Sequence, residues 1–169
     1  MKMTGTKNTV AATTSVDALV RARHEALTAH VAGPHRMEMV ANVNDVVYIN
    51  DSKATFIDAA LDSLVSLEAR VIWIAGTWSD DMSEGQVAEL LRERVSALVL
   101  FGVAAEELPA DTGCEVYLAD NLPMAVFLAR ELARPNEVVL FSPACPSGSG
   151  HANYEERGAD FKRTVRELE

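Results

Sequence analysis

Runs of apolar residues alternate with amphipathic segments along most of this chain. The continuous apolar runs at 71–75 and 97–101 predict strands, as do the largely apolar segments 115–118 and 137–141. A helical spacing of apolar positions predicts helices at 56–67, 83–95, 104–108, 122–133 and 154–168. Strands that are apolar throughout and separated by helices are typical of a parallel sheet covered on both faces. The sequence therefore predicts an α/β fold, a Rossmann-like and mostly parallel sheet with helices on both faces.

A β-hairpin and an N-terminal helix are predicted before this alternation begins. Strand-like runs at 37–40 and 46–49 flank an Asn- and Asp-containing turn at 42–45. Further upstream, residues 16–31 show a helical apolar face that ends at the stop signal Gly33-Pro34. We interpret residues 33–169 as one domain and residues 1–32 as an N-terminal extension.

Composition narrows the classes of function. The 15 basic and 25 acidic residues give a net charge of −10, which disfavours binding to nucleic acid or to anionic membranes. No apolar run approaches the roughly 18 residues of a membrane span, and the polar N-terminus is unlike a signal peptide, so we expect a cytoplasmic protein. Cys114 and Cys145 are interpreted as reduced thiols, because their spacing matches neither a zinc site nor a disulfide framework.

The segment from Asn50 to Thr55 lies on a predicted strand-to-helix turn and carries the densest chemistry of the chain. Such turns expose backbone N–H groups at a helix N-terminus, and this one adds a carboxylate, a lysine and two hydroxyls. That set suits a nucleotide, a metal ion or an acidic substrate. The alternative is that Asp51 or Ser52 only caps the following helix.

A second polar segment, 142–150, follows the last predicted strand and should reach the same edge of the sheet. Gly148 and Gly150 would let its backbone approach a ligand closely, although it could equally be an ordinary loop. His151 is interpreted as a solvated side chain rather than an acid, a base or a ligand. The chain contains no G-x-x-x-x-G-K-[ST] phosphate loop and no G-x-S-x-G elbow.

Four ordered segments resemble the C-terminal domain of the Mur ligases. They read PHRME at 34–38, INDSKAT at 49–55, LFSPAC at 140–145 and NYEERGADF at 153–161. The resemblance covers about residues 33–169 and is nearest to the branch that adds D-glutamate to UDP-N-acetylmuramoyl-L-alanine in peptidoglycan synthesis. Residues 5–8, GTKN, also resemble a segment near the end of the central ATP domain of that family, so the extension at 1–32 is interpreted as its remnant.

The resemblance implies an ATP-dependent amide ligase. In that family ATP phosphorylates a carboxylate of the UDP-sugar peptide, and the amine of the incoming amino acid attacks the acyl phosphate. ATP and Mg²⁺ would act in the complete enzyme, with no cofactor bound tightly by this chain. The implied partners are the ATP-binding and UDP-binding domains, in cis or in trans, and a small amino-acid substrate, so the chain alone is expected to be inactive.

The resemblance also assigns residues to the site. Those expected to contact the nucleotide are Arg36, Asp51 and Lys53. Those expected to line the amino-acid pocket are Thr55, Ser147, Gly148 and Tyr154. No catalytic residue and no metal ligand is assigned in the isolated chain.

The chain departs from the family after the strand at 71–75. The family has a lysine there that pairs with the carboxylate of glutamate, whereas this chain reads GTWSDDM at 76–82, with Asp80 and Asp81. Two alternatives therefore stay open. The domain is a ligase domain retuned to a non-acidic amino acid, or it is a stand-alone non-catalytic domain that binds a ligand or a protein.

Overall fold

In this computed structural model, the described residues are 33–77, 85–105, 108, 113–148 and 150–168. The predicted N-terminal helix, the interpretation of residues 1–32, and most of the predicted short helix at 104–108 lie outside them.

Six strands and four helices form the described domain. The strands are β1 (Glu38–Val43), β2 (Val46–Asn50), β3 (Val71–Ala75), β4 (Val95–Phe101), β5 (Val116–Ala119) and β6 (Val138–Phe141), and the helices are α1 (Ile57–Ser66), α2 (Gly85–Arg94), α3 (Leu122–Leu132) and α4 (Tyr154–Arg166). The predicted α/β fold is confirmed. The predicted strand at 71–75 coincides with β3, and α2, β4, β5, α3, β6 and α4 begin and end within two residues of their predicted bounds.

The hairpin differs from its prediction. The turn is Asn44-Asp45 rather than 42–45, because β1 continues to Val43, which pairs with Val46. Both turn residues have positive φ, 53° for Asn44 and 63° for Asp45. Positive φ at both central positions is what a two-residue hairpin turn needs, and Asn and Asp tolerate it better than most residues.

The sheet has the strand order β1-β2-β6-β3-β4-β5. β1 pairs antiparallel with β2, and every other neighbouring pair is parallel. The carboxyl ends of β2, β6, β3, β4 and β5 therefore point to one edge, where the loops that follow these strands meet. The two parallel strands beside β6, which are β2 and β3, place the segments after Asn50, Phe141 and Ala75 next to one another.

Each face of the sheet carries its own apolar core, which is why the strands are apolar throughout. On β3, Ile72 and Ile74 face the cluster that includes residues of α3 and α4, whereas Val71, Trp73 and Ala75 face the cluster of α1 and α2. Side chains of successive strand residues alternate between faces, so both faces of β3 are buried. This arrangement confirms the predicted sheet with helices on both sides.

Two helices begin at asparagine caps. The side-chain oxygen of Asn121 accepts a hydrogen bond from Met124 N at 3.0 Å at the start of α3, and that of Asn153 accepts one from Glu156 N at 2.8 Å at the start of α4. None of the helices in the described ranges is long and apolar enough to span a bilayer.

Candidate functional site

The loops after β2 and β6 meet at the carboxyl edge of the sheet, as the sequence predicted. Ala144 N donates to Ala54 O at 3.0 Å, and Asp51 N donates to Phe141 O at 2.8 Å. The segment after β3 joins them through Gly76 N, which donates to Pro143 O at 2.9 Å. Polar segments that are distant in sequence therefore share one surface.

Asp51 is the buried hub of this edge. Its Oδ2 accepts hydrogen bonds from Ser63 Oγ at 2.7 Å and Ser142 Oγ at 2.8 Å, and its Oδ1 accepts one from Met37 N at 3.2 Å. Burial raises the pKa of Asp51, and these three donors and the nearby Arg36 oppose that rise. The carboxylate thus ties α1, the loop after β6 and the segment before β1 to the turn.

The alternative that Asp51 or Ser52 caps α1 is wrong. The N-cap of α1 is Phe56, and no side chain donates or accepts a cap hydrogen bond there. The polar residues of the turn are instead used for contacts between loops.

A second polar network surrounds His35. Its Nδ1 lies 3.2 Å from Asn50 Nδ2 and 3.3 Å from Ser52 Oγ. Glu38 Oε2 accepts hydrogen bonds from His35 N at 2.9 Å and Asn50 Nδ2 at 3.1 Å, and Lys162 Nζ lies 3.0 Å from Glu38 Oε1. Burial would raise the pKa of Glu38, but these hydrogen bonds and the ammonium outweigh it and the pKa is lowered.

Gly158 lets α4 pack directly against this network. A Cβ atom at this position would lie 2.2 Å from His35 Nδ1 and 2.3 Å from Ser52 Oγ. Both distances are far shorter than a van der Waals contact, so only glycine fits without displacing the turn.

Arg157, the preceding residue of α4, is a buried cation that joins two loops. It is 2% exposed, and its Nη2 donates to Ser52 O at 3.2 Å and to Cys145 O at 3.0 Å. Its Nη1 donates to Pro146 O at 3.0 Å and lies 3.7 Å from Cys145 Sγ. Burial lowers the pKa of Arg157 and raises that of the Cys145 thiol.

Sequence reasoning assigned no role to Arg157. A signal for it exists, because Arg157, Phe161 and Val165 recur at a spacing of four and share the buried face of α4. A charged residue within an apolar stripe marks a buried polar contact, which the pattern indicates but does not identify.

The residues expected to contact a nucleotide have different environments. Arg36 and Lys53 are exposed, whereas Asp51 is buried with its oxygens engaged. Lys53 Nζ lies 5.9 Å from the ring centroid of Tyr154, within the range of a cation–π contact. The structure therefore brings Lys53 and Tyr154 together, and it places Arg36 close enough to Asp51 to oppose the rise that burial causes in the pKa of Asp51.

The residues expected to line the amino-acid pocket lie on the same two loops and at the start of α4. Thr55, Ser147 and Tyr154 are half-buried, and Gly148 is exposed. The Tyr154 ring contacts His35 edge-on, with centroids 6.1 Å apart. Within the described ranges, no hydrogen bond uses the hydroxyl of Thr55 or Ser147.

The interpretation of His151 as a solvated side chain is wrong. Its Nε2 lies 3.0 Å from Asp160 Oδ2, and only 14% of its side chain is exposed. The contact ties the end of the loop after β6 to α4, because Asp160 lies two turns into that helix.

Two further features of the site concern metal ions and the segment after β3. In the part of the chain that the structure describes, no group of three His, Cys, Asp or Glu side chains is arranged to hold a metal ion. Of the segment 76–82, only Gly76 and Thr77 are described, so Asp80 and Asp81 lie outside the described residues.

Comparison with known proteins matches the chain to one family. The family described as "Mur ligase, glutamate ligase domain" matches residues 35–145. A UDP-N-acetylmuramoylalanine–D-glutamate ligase of Geotalea uraniireducens (strain Rf4) is 43% identical over 146 residues, which cover 85% of this chain and 32% of that protein. The ligase of the same name from Salinibacter ruber (strain DSM 13855 / M31) is 38% identical over 147 residues, with the same coverage of both chains.

A further relative extends the match toward the N-terminus. The ligase of that name from Christiangramia forsetii (strain DSM 17595 / CGMCC 1.15422 / KT0803) is 36% identical over 169 residues, which cover 96% of this chain and 38% of that protein. The chain thus spans about a third of the length of the curated relatives that it matches.

A solved structure shares the fold. It is a domain of a Haemophilus ducreyi 35000HP protein described as a UDP-N-acetylmuramate:L-alanyl-gamma-D-glutamyl-medo-diaminopimelate ligase. Its TM-score is 0.53 at 15% sequence identity, and the match covers 79% of this chain and all of that domain. At that identity the likeness concerns the fold alone.

Proposed function

Because this chain belongs to the Mur ligase family, by its glutamate ligase domain, we propose that it is the amino-acid-binding domain of an ATP-dependent amide ligase of peptidoglycan synthesis. The amino acid is D-glutamate and the acceptor is UDP-N-acetylmuramoyl-L-alanine. In this proposal residues 33–169 form the domain and residues 1–32 are the end of the central ATP domain.

The observation that carries the proposal is the meeting of two loops at one edge of the sheet. Ala54 and Ala144 are joined by a backbone hydrogen bond of 3.0 Å, one residue before Thr55 and three residues before Ser147. Thr55 and Ser147, whose hydroxyls make no hydrogen bond in the described ranges, therefore lie on loops that meet at this edge of the sheet. Hydroxyls placed in this way can hold the carboxylate or the amine of a small amino acid.

The nucleotide would lie beside these hydroxyls. Arg36 and Lys53 are exposed cations at the edge of a chain whose net charge is −10, so they are suited to a local anion such as a phosphate group. Asp51 would contribute indirectly, since its buried carboxylate fixes the turn that carries Lys53. ATP, bound with Mg²⁺ in the complete enzyme, would supply the phosphoryl group that activates the acceptor carboxylate.

The proposal assigns no turnover to the chain alone. Its residues bind and orient the amino acid, and the ATP-binding and UDP-binding domains act in cis or in trans. ATP hydrolysis by the purified chain would contradict this division of roles.

A second candidate is a ligase domain retuned to a neutral or cationic amino acid. Asp80 and Asp81 stand where the family has a cation for the glutamate carboxylate, and this acidic pair favours an amine. A lost charge-assisted hydrogen bond is worth about 1.5–3 kcal/mol, or roughly tenfold to more than a hundredfold in affinity.

Calorimetric titration of the purified chain with D-glutamate, D-alanine and L-lysine tests the proposal and separates the candidates. We expect weak, saturable binding of D-glutamate that Thr55→Ala or Ser147→Ala abolishes. Ser66→Ala is the matched control, because it removes a hydroxyl that bonds within α1, to Ser63 O at 2.7 Å, away from the two loops. Preference for L-lysine would support the retuned domain, and silence toward all three amino acids would support a non-catalytic binding domain.

A further inference from the structure

Arg157 is a buried cation whose hydrogen-bond partners among the described residues are all neutral. Its guanidinium donates to the carbonyl oxygens of Ser52, Cys145 and Pro146. The ion pairs of the described residues involve His151, Lys162 and Arg163 and not Arg157. Its Nε is buried without a hydrogen-bond partner in the part of the chain that the structure describes.

A buried charge without an opposite charge is rare, because desolvation is costly unless other contacts compensate. Here the compensation comes from carbonyl dipoles, which stabilise the cation but leave its net charge in place. The local dielectric constant is low in a buried site, so that charge acts on its surroundings over a longer distance than an exposed charge does.

The partners of Arg157 place this charge directly behind the proposed amino-acid pocket. Pro146 immediately precedes Ser147, and Ser52 lies three residues before Thr55. The guanidinium thus bonds to both loops that carry the pocket hydroxyls. A lysine would not reproduce this geometry, because the planar fork of arginine donates in several fixed directions at once.

We propose that Arg157 is the positioning residue of the amino-acid pocket, and that its unneutralised charge selects an amino acid with a second carboxylate. This inference rests on the proposed function. Arg157 would give the pocket a positive charge, although the chain has no lysine between Lys53 and Lys162. The positive charge of the pocket comes from Arg157 of α4 and not from the segment after β3.

The test compares D-glutamate with D-glutamine, which have nearly the same shape and differ in charge. Binding of both is measured by NMR titration of the wild-type chain, Arg157→Lys and Arg157→Met. Arg166→Met is the matched control, since it removes an exposed cation from the same helix. Dispersed amide spectra establish that each variant is folded.

Arg157→Met is expected to weaken D-glutamate binding by about tenfold or more and to bring the D-glutamate to D-glutamine affinity ratio close to one. Arg157→Lys is expected to weaken binding of both ligands and to keep the preference for D-glutamate, because the charge remains and the fork is lost. Arg166→Met should match the wild type both in its affinity for D-glutamate and in its D-glutamate to D-glutamine affinity ratio.

Either of two results would overturn the inference. One is a folded Arg157→Met variant that keeps the wild-type ratio, and the other is an Arg157→Lys variant that binds D-glutamate as tightly as the wild type. If Arg157→Met does not fold, the affinity of Arg157→Lys for D-glutamate decides the outcome. Failure of the wild type to bind any amino acid would contradict the proposed function itself, whereas binding with unchanged selectivity in the variants contradicts only the role of Arg157.

Discussion

Gly158 lies in the second turn of α4, where glycine is ordinarily unfavourable. In a helix interior glycine costs about 1 kcal/mol relative to alanine, because it loses more backbone freedom on folding. Glycine lets α4 approach the turn closely, since a Cβ at position 158 would lie 2.2 Å from His35 Nδ1 and 2.3 Å from Ser52 Oγ. Gly158 therefore lowers the intrinsic stability of α4 but allows a close fit between α4 and the turn after β2.

The close contact between Gly158 and the turn gives a prediction for Gly158→Ala. The added methyl group must push back the turn or α4, so we expect the free energy of unfolding to fall by about 1–3 kcal/mol. Urea unfolding followed by circular dichroism measures it. Gly33→Ala is the control, because no atom of the described residues lies within 4 Å of the added Cβ. An increase in stability for Gly158→Ala, as helix propensity alone gives, would contradict the fit.

Glu38 gives a prediction for acid stability. Burial opposes ionisation of Glu38, but the hydrogen bonds from His35 N and Asn50 and the ion pair with Lys162 outweigh it, so its folded-state pKa lies below the ordinary value for glutamate. A lowered folded-state pKa of an acid stabilises the fold at pH values above the unfolded pKa. That stabilisation is lost as the pH falls through the folded-state pKa.

Glu38→Gln should therefore be less stable than the wild type at pH 7 and should lose less stability on acidification below about pH 4.5. Urea unfolding at a series of pH values measures both effects. Glu93→Gln, at an exposed glutamate of α2, controls for the removal of one negative charge. If the free energies of unfolding of Glu38→Gln and the wild type change equally with pH, the network around Glu38 does not favour its ionised side chain.

At the scale of elements, α1 begins without a cap. Its N-cap is Phe56, which has extended backbone angles and makes no side-chain cap hydrogen bond, whereas α3 and α4 begin at asparagines. The Phe56 side chain is also 60% exposed, so it contributes little burial. The start of α1 is thus the least stabilised of these three helix starts.

Phe56→Asn should stabilise the domain by about 1 kcal/mol, because the side-chain oxygen can accept a hydrogen bond from a backbone N–H of the first turn. Thermal unfolding measures the effect. Phe56→Ala is the control that removes the ring without adding an acceptor. Equal stability of the two variants would contradict the uncapped start of α1.

Elements were predictable from the sequence to the extent that their apolar pattern is local. β3 is buried on both faces, and its continuous apolar run gave its bounds directly. The bounds of β1 depend on pairing with β2, so its extension to Val43 was not visible in a half-exposed segment. The hydrogen bonds from Ser142 to Asp51 and from Arg157 to Ser52 were not predictable, because each joins segments more than 90 residues apart in sequence.

At the scale of the whole molecule, the cations assigned to the proposed site lie at one edge of the sheet. The chain has a net charge of −10, whereas Arg36 and Lys53 are exposed at the carboxyl edge of the sheet and Arg157 is buried beneath it. The opposite edge of the sheet carries the hairpin turn at Asn44-Asp45. The two edges therefore carry different loops.

The measurement that tests the central claim most directly is residue-by-residue NMR mapping of D-glutamate binding on the isotope-labelled chain. We predict saturable amide shifts at Thr55, Ser147 and Tyr154, with the turn at Asn44-Asp45 unchanged. Shifts that concentrate at the hairpin turn, or the absence of any saturable shift at the carboxyl edge, would contradict the assignment of this edge as the amino-acid site.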